Sequence, residues 1–541
     1  MARREMTATQ KHLLKLVLEI DAICRKYDIE YFVDYGTTLG AIRHEGFIPW
    51  DDDVDISMTE DNYHKWVEAC KKELDPQKRA YCDVRLDREF PTVFGRYIDL
   101  ESARVGQKSE FWKPICGQCI DVFYLMELPG DPVRKQEAID LYFAYDEYSN
   151  SSYRHVYMKT EAWMRLYNEF LEEEKKIGKE AVLQKLEKKI FDRHYDDCDT
   201  YMVSSARKIG PPSFAPKFVY DSVYYADFEG HKIPISGHYV ELLQNYYGDD
   251  FDILPDHKKR HSPQSHSNLG CQVYVSDYMR LIDKDQLLKE RQEFKHLAVR
   301  EGYWRTRTTL DFVDKLGAYL ELKIRGRIRK EKLDIASMMN PGDPDQLAAL
   351  YRLFEKYYEY QMGVPKVWEG YVDIGDDLVE AALFALFYHK NDYRSAMKIM
   401  NIREINQHPD TDRIRAFKDM VIRVRKVKAE QIYGHYENGI ALAEEGLGLY
   451  PDCRELLIRK EMMKLEMAGK DEDKIGEVEG RIRDLLERFP EDDLCMKTLG
   501  DIAWLRGNKE EADKYYDWVM KKSLNGLLHL DITKKREKNH D

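Results

Sequence analysis

Two aspartates separated by one residue, Asp53 and Asp55, constrain this chain more than any other feature of its sequence. Side chains alternate along a strand, so both carboxylates are predicted to lie on one face. Carboxylate oxygens paired in this way suit a hard divalent cation such as Mg²⁺ or Mn²⁺. The small residues Gly36-Thr37-Thr38 upstream predict a turn whose backbone amides can approach a phosphate closely. A metal beside a phosphate cradle indicates chemistry on a nucleotide or a diphosphate.

The acidic run is longer than this pair, because Asp51 and Asp52 precede it. Asp52 alternates with Asp53 and is predicted to face the other side of the strand. Asp51 shares the face of Asp53 and Asp55 if the strand starts that early. Without other motifs, such a run is also typical of a turn or of solvated carboxylates.

Length and charge narrow the function classes. A chain of 541 residues indicates two or three domains, and a hydrophobic share of 43% supports real cores. The net charge of −14 argues against generic nucleic-acid binding, which needs a basic surface. We find no signal peptide and no run of 18 apolar residues, and nine scattered cysteines fit a reducing compartment. We therefore expect a cytoplasmic protein without a transmembrane span, with peripheral association at the inner face of the membrane left open.

Periodicity predicts a helix over residues 8–28, capped by Thr7 or Thr9. The segment between the two motifs, 42–50, is predicted to be a loop because it contains Gly46 and Pro49. A charged, Tyr-rich stretch over 133–200 predicts a helical insertion, and the proline-rich stretch 210–265 predicts irregular structure. Strands are predicted at four places: 30–34, 53–58, 93–99 and 119–124.

The C-terminal part reads as almost entirely helical. Residues 276–340 are predicted to form a helical linker, which the breaker Asn340-Pro341-Gly342-Asp343-Pro344 ends. Residues 341–541 contain weak helical-hairpin repeats that resemble tetratricopeptide repeats, although their spacing is irregular. Stacked repeats commonly offer a concave surface, so a protein partner is expected there.

The stretch from Tyr31 to Ile56 closely resembles the signature of the LicD family, which includes bacterial phosphocholine transferases and the animal fukutins. Further matching segments follow in the expected order: Arg96-Tyr97-Ile98-Asp99, Cys119-Ile120-Asp121-Val122-Phe123, Phe228-Glu229-Gly230 and Tyr247-Gly248-Asp249-Asp250. The resemblance covers roughly residues 8–265. It implies an α+β nucleotidyltransferase-like catalytic domain with a small mixed sheet over residues 1–275, followed by the all-α repeat domain.

The reaction implied by the resemblance is the metal-dependent transfer of phosphocholine, or a related phospho-alcohol, from a CDP-linked donor such as CDP-choline. The implied acceptor is a hydroxyl of a cell-surface glycan or glycolipid, such as a precursor of teichoic acid or lipopolysaccharide. The resemblance assigns Asp53, Asp55 and Asp121 as catalytic carboxylates and ligands of Mg²⁺ or Mn²⁺.

Substrate-binding roles are implied for Gly36, Thr37, Thr38, Arg43 and Arg96. The first three would present amides and hydroxyls to the donor phosphates. Arg43 would clamp a phosphate, although a surface salt bridge is its ordinary alternative. Downstream cations that could hold an anionic acceptor, or could be a solvated charge run, are Lys258, Lys259 and Arg260. Aromatic residues that could cage a trimethylammonium group, or could belong to the core, are Tyr35, Phe47, Trp50, Tyr97 and Tyr124.

Two other functions stay open on the sequence. The same fold could act as a nucleotidyltransferase on a small molecule, releasing pyrophosphate instead of CMP. The helical repeats could also be the main function, as an interaction scaffold beside an inactive catalytic domain. The close pair Cys116 and Cys119 could mark a zinc or redox motif, but we interpret the two as small residues at the start of a buried strand that leads to Asp121.

Overall fold

The computed structural model describes residues 5–88, 90, 92–102, 117–150, 161–204, 214–255, 260, 315–363, 371–406 and 408–537. The chain divides into two compact units. The first comprises residues 1–246 and 255–306, and the second comprises residues 247–254 and 307–541. The short segment 247–254, which the sequence analysis groups with the N-terminal domain, therefore lies in the second unit.

The first unit is built on a mixed sheet. Its strands are β1 Phe32–Val33, β2 Asp55–Thr59, β3 Arg79–Cys82, β4 Gly95–Asp99, β5 Cys119–Leu128, β6 Thr200–Val203 and β7 Phe214–Pro216. The order is β1-β2-β5-β4-β3, with β6 on the far end of β5 and β7 beside it. Strand β5 pairs in parallel with β2 and antiparallel with β4 and β6. A separate hairpin joins β8 Val223–Phe228 to β9 His231–Ser236.

Seven helices accompany these strands in the described residues of the first unit: α1 Ala8–Tyr27, α2 Tyr35–His44, α3 Glu60–Glu73, α4 Pro132–Asn150, α5 Glu161–Ile177, α6 Lys179–Ile190 and α7 Tyr239–Tyr247. The prediction for α1 is confirmed, since Thr7 caps it and forms a capping box with Gln10. Its apolar face packs with α3 on one side of the sheet, in a core that includes Ile20, Trp66 and Val122.

Three local predictions are wrong. Residues 36–38 form the first turn of α2 and not a free turn, and this helix extends to His44 where a loop was predicted from residue 42. The Asp34 side chain accepts a hydrogen bond from the Tyr35 amide and so caps a sequence with weak helix propensity. Within 210–265, the described residues contain β7, the β8–β9 hairpin and α7 where irregular structure was predicted.

The predicted helical insertion is confirmed by α4, α5 and α6. These helices pack on the far half of the sheet in a core that includes Met126, Leu128, Phe143 and Trp163. Most of this core is aromatic or long aliphatic, so the insertion contributes a hydrophobic layer of its own.

The second unit is helical, as predicted. Residues 315–331 are helical, and further helices follow at Ile335–Met338, Pro344–Gly363, Asp376–Ala385, Tyr393–Ile405, Asp412–Tyr433, Tyr436–Leu449, Arg454–Ala468, Glu472–Arg488, Asp493–Leu505, Lys509–Lys522 and Gly526–Glu537. The predicted breaker separates two of them. None of the helices in the described ranges combines the length and apolar character that a membrane span requires.

Segment 247–254 is anchored in this helical unit by buried charges. Asp249 pairs with Arg425 at 2.5 Å, and Lys428 pairs with Asp252 at 2.7 Å. The Leu254 amide donates to the Leu524 carbonyl at 2.6 Å. Lys428 is only 4% exposed, so its charge depends on these partners.

Candidate functional site

A row of charged side chains crosses three neighbouring strands of the sheet. Asp55 on β2 lies directly opposite Asp121 on β5, and Asp121 lies opposite Arg96 on β4. The Arg96 Nε donates to Asp121 Oδ1 at 2.9 Å. Adjacent strands are about 4.8 Å apart, so the fold brings together residues 66 positions apart in sequence (121 minus 55). The predicted catalytic residues Asp55 and Asp121 are therefore neighbours.

The remaining carboxylates of the acidic run lie beside this row. Burial raises the pKa of Asp51 to about 9, and the neighbouring Asp53 carboxylate, with which it shares a hydrogen bond, adds to the rise. Burial, and then the Asp53 and Asp121 carboxylates, raise the pKa of Asp55 well above its ordinary value. Strand β2 starts only at Asp55, so Asp51 and Asp53 approach it from the preceding loop. Four carboxylates thus share one site, including Asp51, which the sequence placed there only conditionally.

The N-terminus of α2 faces this acidic cluster. A methyl group placed on Gly36 would come within 2.8 Å of an Asp51 carboxylate oxygen. The Thr37 hydroxyl accepts a hydrogen bond from the Asp55 amide at 3.1 Å, whereas the Thr38 hydroxyl donates to the Val33 carbonyl at 2.6 Å. Gly36 therefore leaves room for Asp51, and Thr37 joins the helix to Asp55. The positive end of the helix dipole lies against negative charge.

A fully buried carboxylate, Asp34, fixes the start of this helix. It accepts hydrogen bonds from the Ser57 hydroxyl at 2.6 Å and the Tyr220 hydroxyl at 2.7 Å. The amides of Thr37 and Thr38 both donate to its backbone carbonyl. Burial raises the pKa of Asp34 to about 6, although these hydrogen bonds act in the opposite direction. Asp34 is not recognisable as part of the site from the sequence, because its partners Ser57 and Tyr220 are remote from it in the chain.

Arg43 and Arg260, two of the basic residues predicted to bind substrate, lie around the end of α2, whereas Arg96 lies on β4. Arg43 is buried in the last turn of the helix. Burial lowers the pKa of the adjacent His44 to about 3, and the Arg43 and Arg260 guanidiniums act in the same direction. The Arg260 guanidinium lies over the Trp50 ring, 5.4 Å from its centre. Arg260 therefore lies beside the loop that leads to Asp51, whereas Lys258 and Lys259 lie outside the described residues.

That loop is held from two sides. The buried Gln10 amide on α1 donates to the carbonyls of Asp51 at 2.9 Å and Ile48 at 3.3 Å. On the other side, Glu229 at the hairpin turn accepts from the Phe47 amide at 3.1 Å. Gly40 on α2 allows the loop to pass close to the helix, since a Cβ at residue 40 would lie 2.5 Å from the Gly46 carbonyl oxygen. These contacts fix the path of the chain into the acidic run.

Replacing Gln10 by leucine should lower turnover by about 10- to 100-fold, because small displacements of reacting groups are costly. It should also destabilise the protein by about 1–3 kcal/mol, since two carbonyls lose their donor. Turnover and urea unfolding measure the two effects. Lys11→Leu on the exposed side of α1 is the matched control, and equal losses in both variants would contradict the assigned role of Gln10.

The aromatic candidates separate into site and core. Tyr35 stacks on Tyr246 with ring centres 4.6 Å apart and lies at the start of α2, next to the cluster. The Tyr124 ring already contacts the Arg85 guanidinium, 4.4 Å from its centre, so it does not serve as part of a choline cage. Tyr97 is buried in the core. Phe47 packs on Phe228 in the core, and Trp50 contacts the Arg260 guanidinium.

A different group brings its ligand-type atoms closest together. Among the described residues, Glu60, His64 and Asp192 have candidate ligand atoms that all lie within 4.8 Å of one another, whereas Asp53, Asp55 and Asp121 do not form such a group. Glu60 is already paired with Arg85 at 2.5 Å, and His64 and Asp192 are exposed. We therefore interpret this group as an ion-pair network.

The acidic cluster nevertheless has the chemistry of a divalent-cation site. Its donors are all carboxylate oxygens, the ligands that Mg²⁺ and Mn²⁺ prefer. Four carboxylates lie in this cluster, and the Arg96 guanidinium pairs with one of them, Asp121, at 2.9 Å. Cys119 is buried at the start of β5, and Cys116 lies outside the described residues, so the small-residue interpretation fits what is described.

Comparison with known proteins relates this site to one family. Residues 28–109 match the model of the LicD/FKTN/FKRP nucleotidyltransferase domain. The chain is 26% identical over 290 residues to the lipopolysaccharide cholinephosphotransferase LicD of Haemophilus influenzae, which covers 49% of this chain and 99% of that protein. It is also 45% identical over 53 residues to uncharacterised proteins of Rickettsia prowazekii and Rickettsia typhi, covering 10% of this chain and 20% and 17% of theirs. Residues 28–109 of this chain are therefore similar to the nucleotidyltransferase domain of the LicD family.

Proposed function

We propose that this protein is a metal-dependent phosphotransferase that moves phosphocholine, or a related phospho-alcohol, from a CDP-linked donor to a hydroxyl of a cell-surface glycan or glycolipid precursor. The observation that carries the proposal is the placement of Asp55 beside Asp121 on parallel strands, with the N-terminus of α2 against them. The similarity to a lipopolysaccharide cholinephosphotransferase supports the choice of cargo and acceptor.

In this proposal, Asp53, Asp55 and Asp121 would hold Mg²⁺ or Mn²⁺. When bound, such an ion offsets negative charge on the donor phosphates and on the departing CMP. Asp51 would stay close to these ligands through its hydrogen bond to Asp53. Arg96 would hold the Asp121 carboxylate in position, as its 2.9 Å contact indicates.

The donor phosphates would lie near the start of α2. The helix dipole and the small residue Gly36 favour an anion there. The hydroxyls of Thr37 and Thr38 already make structural hydrogen bonds, so their proposed role is to shape the site. Arg43 would add positive charge at the other end of the same helix, where the neutral His44 adds none. Tyr35 is the described aromatic residue best placed to contact a cationic alcohol.

A screen of the full chain tests the proposal. CDP-choline, CDP-ribitol, CDP-glycerol, CTP and ATP are each supplied with Mg²⁺ or Mn²⁺, with and without a glycan acceptor, while CMP and pyrophosphate are measured. CMP release from one CDP-alcohol is the expected result and identifies the cargo. Pyrophosphate release from a triphosphate would replace the proposal by the nucleotidyltransferase alternative. Failure to bind or turn over any of the five with acceptor present would favour the scaffold alternative.

Removal of metal should abolish this reaction. EDTA is expected to reduce CMP release by at least about 1,000-fold, which corresponds to about 4 kcal/mol of transition-state stabilisation. Added Mg²⁺ or Mn²⁺ should restore the rate. Full activity after exhaustive chelation would contradict the assigned role of the carboxylates.

A further inference from the structure

A cavity lies under the helical insertion, at the C-terminal end of β5. It has a volume of about 200 Å³ and is lined by the end of β5, by α4, and by the end of α6 with the loop that follows it. Glu127, in its wall, is six residues along β5 from Asp121, which is roughly 20 Å at the rise of a strand. The cavity is therefore distinct from the acidic cluster.

The rim of this cavity carries an excess of positive charge. Arg134, Lys189 and Arg193 line it, together with the carboxylates Glu127 and Glu137. Glu127 is already neutralised, because the Lys217 ammonium lies 2.8 Å away. Among the lining residues, Glu137 is therefore the carboxylate with which an anionic ligand would compete for the three cations.

Two of these cations have no counter-ion in the described part of the chain. No described carboxylate lies within 4.0 Å of Lys189 or Arg193, whereas Arg134 has Asp197 at 3.5 Å. The guanidiniums of Arg134 and Arg193 both lie over the ring of Tyr195, 5.5 Å and 4.9 Å from its centre. Two guanidiniums around one ring raise the positive potential of this part of the rim, which favours an oxyanion as the ligand.

The floor of the cavity is apolar. Met126, Leu128 and Met202 from the sheet are buried beneath it, and Leu141 and Ala138 from α4 close one side. A ligand that satisfied only the rim would leave this surface against water. The combination favours a molecule with an anionic head and an apolar body.

We propose that this cavity is a second ligand site, which binds the phosphate group of an organic phosphate with Lys189, Arg193 and Arg134 and the apolar body of that molecule on the floor. The same chemistry is found in a soluble phosphate ester and in the headgroup region of a phospholipid. The site is independent of the reaction proposed above, since it shares no residue with the acidic cluster.

Calorimetric titration of the full chain in EDTA tests this site, because it reads binding and needs neither metal nor turnover. The probes are phenyl phosphate for a soluble ester and dihexanoyl phosphatidic acid for a lipid. Saturable binding of either probe with one site per chain is the expected result, and the tighter probe identifies the source. Absence of saturable binding of both probes up to millimolar concentrations would overturn the proposal.

Variants locate the binding. Lys189→Ala combined with Arg193→Ala should weaken binding of the tighter probe by at least tenfold. Both side chains are exposed, so the fold should tolerate the change. Lys188→Ala is the matched control, since this exposed lysine adjoins the cavity in sequence without lining it. Ala138→Leu should fill the cavity from the side formed by α4 and weaken binding of the same probe by a similar factor. Equal affinities in the double variant and in Lys188→Ala would assign the binding elsewhere and overturn the proposal.

Discussion

Replacing Asp55 by asparagine is expected to reduce turnover by at least about 1,000-fold while the protein in EDTA becomes more resistant to heat. The loss of turnover follows from the central position of Asp55, which lies opposite Asp121 and next to Asp53. Removing one ligand of the proposed metal forfeits several kcal/mol of charge stabilisation. The gain in heat resistance follows because a neutral amide relieves repulsion among buried carboxylates.

Three measurements separate these effects: CMP release, the melting temperature in EDTA and the melting temperature in Mg²⁺. Mg²⁺ should raise the melting temperature of the wild type and leave that of Asp55→Asn unchanged, since ligand binding stabilises the folded state only where a site exists. Asp227→Asn in the exposed β8–β9 hairpin is the matched control for loss of one carboxylate. Wild-type turnover in Asp55→Asn would refute its assignment as a ligand.

Replacing Arg85 by alanine should destabilise the first unit by about 3–5 kcal/mol. The Arg85 side chain is 10% exposed and pairs with the buried Glu60 at 2.5 Å. Its guanidinium also lies over the rings of Tyr63, Tyr124 and Phe191, at 3.7 Å, 4.4 Å and 4.4 Å from their centres. Truncation leaves the Glu60 carboxylate buried without its cation and opens a space between three rings, so both electrostatic and packing energy are lost.

Hydrogen exchange of peptides from β5 at increasing urea concentration measures this loss, since the chain has two units and a single global transition is not assured. Arg25→Ala removes an ion pair on the exposed surface of α1 and should cost about 1 kcal/mol or less. Combining Arg85→Met with Glu60→Gln should recover much of the stability, because no buried charge is left unpaired. A loss for Arg85→Ala no larger than for Arg25→Ala would contradict the assigned role.

The parts of the fold that the sequence predicts well are those with a local signal. Helix α1 has an apolar stripe and a capping threonine, and both are confirmed. Strand β5 is a continuous apolar run around Asp121, and it is central to the sheet. The helical second unit is likewise predicted, from weak helical-hairpin repeats along the C-terminal part of the chain.

The parts that the sequence does not predict depend on contacts between distant residues. Helix α2 starts with weak helix formers, and Asp34 with Tyr220, 186 residues away, stabilises its first turn. Tyr124 looks like a candidate for a choline cage until Arg85 is found on its ring. Gln10 looks like an ordinary helix residue, although its amide fixes the loop before Asp51. Long-range partners of this kind leave no periodic trace in a sequence.

The anchoring of segment 247–254 has a consequence for how this chain can be divided. Neither unit is encoded by one uninterrupted stretch, because eight residues from the middle of the chain supply Asp249, Asp252 and the buried Phe251 to the helical unit. A gene cut at residue 275 or 340 would therefore leave Arg425 and Lys428 without their carboxylates in the C-terminal fragment. Recombination that exchanges the C-terminal repeats between relatives would therefore also have to exchange residues 247–254.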